Sequence, residues 1–139
     1  MSTKCNTDNI RRYINEHINN YSNILFVYLF GSHSRKTQKP HSDIDIAFYI
    51  SPRDYSKDAF ESTKNAYLLA TKIGETFNKQ TDVLILNSSS IEMNYHIITT
   101  AQIIYSYNVD HRLIFEARIR GMYFDFMPFL EELRRCKSS

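Results

Sequence analysis

The run ILFVYLF (24–30) leaves a folding chain few options. It is continuous, rich in β-branched and aromatic residues, and short enough for a strand buried on both faces. DIDIAFYI (43–50) is a second such run, stopped by Ser51-Pro52, and TDVLILN (81–87) a third. Between them Phe60, Thr63, Tyr67, Ala70, Ile73 and Phe77 recur at helical spacing, which predicts a long helix over 56–78. Ile10, Ile14, Ile18 and Tyr21 predict an amphipathic helix before the first strand. After Ser88 the pattern gives a helix capped by the serine at 89 or 90 and a strand at 101–107. A tail helix over 110–135 carries Phe115, Ile119, Met122, Phe126, Phe129 and Leu133, with a kink or break expected at Pro128. This order predicts an α/β (α+β) domain, a small central mixed sheet flanked by helices with a C-terminal helix.

With 139 residues, one domain over 1–139 is expected, its core at about 22–108 and a helical segment at about 110–136. A formal net charge of +2 gives no electrostatic case for direct nucleic-acid binding, and the basic clusters at 35–39 and 134–137 read as solvated faces. Cys5 and Cys136 lack framework spacing and read as thiols in a reducing cytosol. No secretory signal or membrane span is expected, so the predicted location is cytoplasmic.

The chemistry concentrates in FGSHSRKTQKPHSDIDIAFYI (30–50). Gly31-Ser32 closes the first strand. Either it is a plain turn, or a short helix begins at Ser32 and the turn cradles an anion, since glycine lets the backbone approach a ligand and free N–H groups bind phosphate. Asp43 and Asp45 are two residues apart on a strand and point to one side, away from Ile44 and Ile46. Two neighbouring carboxylates repel unless one is protonated or a cation lies between them. The pair is therefore either a clamp for a divalent metal or a solvated edge that discourages strand pairing. Asp82, opening the third strand, either simply starts it in solvent or brings a third carboxylate to the same ion. An anion-binding turn with three carboxylates on adjacent strands suits two-metal phosphoryl or nucleotidyl transfer.

Gly31-Ser32, ten residues, then Asp43-Ile44-Asp45 resembles the signature of the DNA polymerase β-like nucleotidyltransferase superfamily. The context GSHSR…PHSDIDIAF resembles its minimal nucleotidyltransferases (MNT), the MntA-type antitoxins paired with HEPN-domain ribonuclease toxins. The resemblance covers most of the chain. It implies that Ser32 contacts the β/γ-phosphates of ATP, with Gly31 permitting close approach. It implies that Asp43 and Asp45 bind two Mg²⁺ ions and that Asp82 binds the catalytic metal and helps deprotonate the acceptor hydroxyl. Arg35 stands where relatives often have an arginine that touches phosphate or orders the loop; they often follow it with glycine, whereas this chain has Lys36.

So small a chain has little room for an acceptor domain, and the resemblance implies a protein acceptor, a tyrosine of the cognate HEPN toxin, adenylylated from ATP within a hetero-oligomer. Two alternatives stand beside it: an antitoxin acting by binding alone, and a small-molecule nucleotidyltransferase of the antibiotic-modifying kind. Arg12 and His17 match the R-x4-H ribonuclease pattern only by chance, because that motif belongs to all-helical bundles. His33, His41, His96 and His111 are left unassigned. The tail stripe, widened by Tyr123, Phe124 and Met127, reads equally as core or as a partner-binding face in which Phe126 and Phe129 are anchors.

Overall fold

The computed structural model describes residues 4–31 and 43–138. Helix α1 (Thr7–His17) leads through a short 3-10 turn into β1 (Ile24–Phe30); β2 is Ile44–Ile50. Two helices follow, α2 (Pro52–Lys57) and α3 (Ala59–Phe77), then β3 (Thr81–Ile85), α4 (Ile91–Thr100), β4 (Gln102–Ser106) and α5 (Val109–Ser138). The four strands form one sheet in the order β3-β2-β1-β4. β1 pairs antiparallel with β2 and with β4. β3 pairs parallel with β2, as the helical crossover between those strands requires.

Both faces of the sheet are covered, which is why its strands carry apolar residues without strict alternation. On one face Ile10 and Ile14 of α1 and Ala66, Leu69, Ala70 and Ile73 of α3 pack on Val27, Leu29 and the even-numbered isoleucines of β2. On the other, Ile97 and Ile98 of α4 and Phe115 and Ile119 of α5 pack on Phe26, Tyr28, Ala47 and Tyr49. The Phe26 and Tyr49 rings stack 4.5 Å apart, and Phe115 lies 4.6 Å from Tyr49. Across this interface the buried Glu116 accepts hydrogen bonds from the Tyr28 hydroxyl (2.7 Å) and from Arg112 Nη1 (2.8 Å), pinning α5 to β1. Burial, then the adjoining carboxylate, raises the Tyr28 phenol above its ordinary range.

The long helix expected over 56–78 is α3, which begins at Ala59 because the separate short helix α2 ends at Lys57. Asp58 ends α2 and caps α3, its side chain accepting from the Glu61 N–H. Pro52 occupies the first turn of α2, where its missing N–H costs nothing, so the residue that stops the strand also starts a helix. The predicted stripe holds in the second half of α3, where Ala70, Ile73 and Phe77 are buried, and fails in the first. Phe60 and Tyr67 are exposed, whereas Ser62, Ala66 and Leu69 are buried. The small side chains of Ser62 and Ala66 leave room for the helix to lie close to the sheet, and the aromatic residues are turned outward.

Ser90 caps α4 as expected, accepting from the Met93 N–H. Of the kink or break expected at Pro128, the break does not occur: helix α5 continues through the proline. The ring removes one hydrogen bond, but the carbonyl it frees, on Phe124, lies on an exposed turn where water can serve it. Only the first half of the α5 stripe is core. Phe115 and Ile119 are buried, and Met122, Phe126, Phe129 and Leu133 are not.

Candidate functional site

The register of the sheet brings the acidic residues together. Asp45 lies opposite Phe30 at the end of β1 and opposite Asp82 at the start of β3. Because β2 is interior and paired on both sides, the solvated-edge reading of Asp43 and Asp45 does not apply. Since Ile44 and Ile46 enter the core on the α1/α3 side, Asp45 projects from the same face as Ala47 and Tyr49, which α4 and α5 cover further along the strand. Asp43 directly precedes the strand and is half-buried, like Asp45, while Asp82 is exposed.

Desolvation is the main reason that the Asp45 carboxyl is pushed up to about 6. The charge of Asp82, a side-chain hydrogen bond with Asp82 and the charge of Asp43 add to it. Asp82 is thus within side-chain hydrogen-bonding reach of Asp45, and Asp43 is close enough for its charge to be felt there.

Gly31 closes the third side. Its φ of +74° lies in the left-handed region that a Cβ disfavours, and a Cβ there would overlap the Asp45 carboxylate oxygen. The glycine is thus required twice, by the turn that ends β1 and by the room the carboxylate needs. Ser32, Arg35 and Lys36, together with His33 and His41, lie outside the described residues, as does the anion cradle expected to begin at Ser32.

Among the described residues, no three His, Cys, Asp or Glu side chains stand in a metal-holding arrangement. The donor set is nevertheless of the right chemistry for a hard divalent cation: carboxylate oxygens only, neighbours at one end of the sheet. A cation would offset both the burial and the neighbouring negative charge that raise the Asp45 carboxyl.

The polymerase beta nucleotidyltransferase family matches residues 12–110, from α1 to the start of α5. The chain belongs to this family. One relative, the protein adenylyltransferase MntA of Shewanella oneidensis, is 28% identical over 104 residues, covering 75% of this chain and 69% of that protein. Among solved structures, a toxin–antitoxin complex with AMP-PNP contains a chain that matches at a TM-score of 0.70 and 22% identity, covering 97% of this chain and 100% of that one. The tri-AMPylated Shewanella oneidensis HEPN toxin in complex with its MNT antitoxin matches at 0.69 and 17% identity, over 96% of this chain and 99% of the other. At these identities the structures establish a shared fold.

Two features of this end of the molecule escaped sequence reasoning. The steric tie between Gly31 and Asp45 depends on strand register, which no local pattern encodes. The Tyr28–Glu116–Arg112 network links β1 to α5 across 88 positions of sequence, and neither glutamate nor tyrosine carries a local mark of it.

Proposed function

We propose that this chain is an antitoxin that transfers AMP from ATP to a tyrosine of a cognate HEPN ribonuclease toxin and so neutralises it. The observation that carries the reading is the placement of Asp45 between the Gly31 turn and Asp82, with Asp43 on the same side. Membership of a nucleotidyltransferase family supports it, as does likeness to a protein adenylyltransferase and to a complex whose toxin is AMPylated.

In this reading Gly31 lets the chain turn beneath the triphosphate, Ser32 contacts the β/γ-phosphates and Arg35 adds positive charge. Asp43, Asp45 and Asp82 would hold the two Mg²⁺ ions. When bound, these would neutralise phosphate charge and make the acceptor hydroxyl more acidic. The tyrosine oxygen attacks the α-phosphorus, a new P–O bond forms, and the bond to the bridging oxygen breaks to release pyrophosphate. Asp82, the more open member of the pair, takes the tyrosine proton.

The segment 110–136 is proposed to dock the toxin. Its tail does not adjoin the carboxylates: Arg134 pairs with Glu92 in the first turn of α4, and Ile119 and Met122 lie beside Asn87 beyond β3. A toxin held there must reach back along the sheet to present its tyrosine.

Incubation with labelled ATP, Mg²⁺ and purified toxin tests the proposal. Asp43→Ala and Asp45→Ala should each abolish transfer while the fold survives. Asp82→Asn should slow the chemical step far more than it weakens nucleotide binding. Undiminished labelling by either alanine variant would overturn the assignment. Parental protein that protects cells without labelling the toxin would favour neutralisation by binding alone.

A further inference from the structure

At the end of the sheet opposite the carboxylates, two adjoining concavities of about 410 and about 390 Å³ run between α2 and α5. They share Tyr49, Pro52, Phe115 and Arg118, so they form one groove. Tyr49 is four residues along β2 from Asp45, which puts the groove about 13 Å from the proposed catalytic end. Its floor is aromatic and apolar, made by Tyr49 and Phe115 with Leu86. Its walls carry Arg53, Arg118 and His111, and no Asp or Glu lines either half.

Both guanidinium groups belong to exposed residues, and neither has a hydrogen-bond or ion-pair partner among the described residues. Other arginines of the same helix are engaged: Arg112 and Arg120 on Glu116, Arg134 on Glu92. Two unpaired cations over an aromatic floor, with no carboxylate in the lining, leave a positive concavity that complements a negative ligand. The groove is also open along its length and borders the exposed Ile114 and Met122 of α5, a shape suited to an extended chain rather than to an enclosed small molecule.

We infer that the groove between α2 and α5 docks an acidic, extended segment of a partner protein. Alternate side chains of the segment lie against the exposed Pro52, Ile114 and Met122, and carboxylates between them meet Arg53 and Arg118. This deepens the reading above and rests on it, in that the partner is the protein acceptor. Docking at this end orients the acceptor along the sheet toward Asp45 without contributing a group to the transfer itself.

The test uses the full chain and a labelled peptide of alternating glutamate and leucine, with its glutamine counterpart and a single-stranded oligonucleotide as comparisons. Binding is followed by fluorescence anisotropy at low and raised salt. The acidic peptide is expected to bind, to weaken as salt rises, and to lose about tenfold or more in affinity in Arg53→Glu/Arg118→Glu. Both positions are exposed, so the double variant should fold, which circular dichroism checks. Equal binding of the acidic and glutamine peptides, or parental affinity in the double variant, overturns the inference. Binding of the oligonucleotide in place of the peptide overturns it in favour of a nucleic-acid surface.

ATP binding to the parental protein, measured in parallel, separates the two levels. Loss of ATP binding speaks against the transferase reading. Intact ATP binding with no peptide preference speaks against the groove alone.

Discussion

A carboxyl group that keeps its proton up to about pH 6 is tuned by its neighbours, and at Asp45 the consequence for stability has a definite sign. The folded value lies above the ordinary 3.8, so the folded chain binds this proton more tightly than the unfolded chain. The resulting stabilisation is complete below about pH 4 and is lost as pH rises through about 6. Asp45→Asn removes the titration. In metal-free protein the variant should therefore gain on the parent as pH rises across that window and keep the gain above it. Urea unfolding in chelator at about pH 4 and about pH 8 reads this directly, and a gap that shrinks with rising pH would contradict it. The neighbouring glycine makes a complementary case. Gly31→Ala puts a Cβ into a left-handed backbone and into the Asp45 carboxylate. The backbone term costs about 1–2 kcal/mol, and the clash displaces the carboxylate as well. Thermal melts should show the first loss, and label transfer should fall further than stability alone explains.

Among the helices, α5 has two distinct halves. Phe115 and Ile119 are clamped between the aromatic residues of β1 and β2, whereas Phe126 and Phe129 touch each other at 5.3 Å and remain exposed. Replacing both with serine should leave the fold intact, weaken toxin binding and slow adenylylation, while ATP affinity stays near the parental value. Unfolding of the double variant would make the whole stripe core, and full-rate modification of the toxin would remove its docking role. The elements show how far the sequence could be read. β1 was legible because ILFVYLF suits a strand buried on both faces, and the capping serine of α4 because its side chain acts on its own first turn. The break at Asp58 was not, because one residue serving as the end of one helix and the cap of the next leaves the helical period unchanged. The burial of Ser62 and Ala66 in place of Phe60 and Tyr67 was hidden for another reason: close helix–sheet approach rewards small residues, and hydrophobicity does not mark it. The pairing of Asp45 with Asp82 was legible only as a possibility, since it follows from β3 lying beside β2.

At the scale of the molecule, the sheet has a chemical polarity, with three carboxylates at one end and unpaired arginines at the other. On the proposed reading, a bound nucleotide changes the acidic end. Three neighbouring carboxylates and a triphosphate would repel one another, so ATP alone should stabilise the protein little. Divalent cation alone relieves the carboxylates but gains no contacts from the ligand. Together they should act more than additively, because each neutralises what opposes the other. Ligand at a hundredfold excess over its dissociation constant adds about 2.7 kcal/mol. For a domain of this size that amounts to a rise in melting temperature of roughly 9 °C. Thermal melts with ATP, with Mg²⁺, with both, and with both plus chelator should therefore show one large shift, in the third sample, reversed in the fourth. In Asp45→Asn the shift should collapse although the unliganded variant is at least as stable as the parent. A full shift from ATP without cation would show that binding does not depend on these carboxylates being neutralised, and the site would have to be sought elsewhere on the molecule.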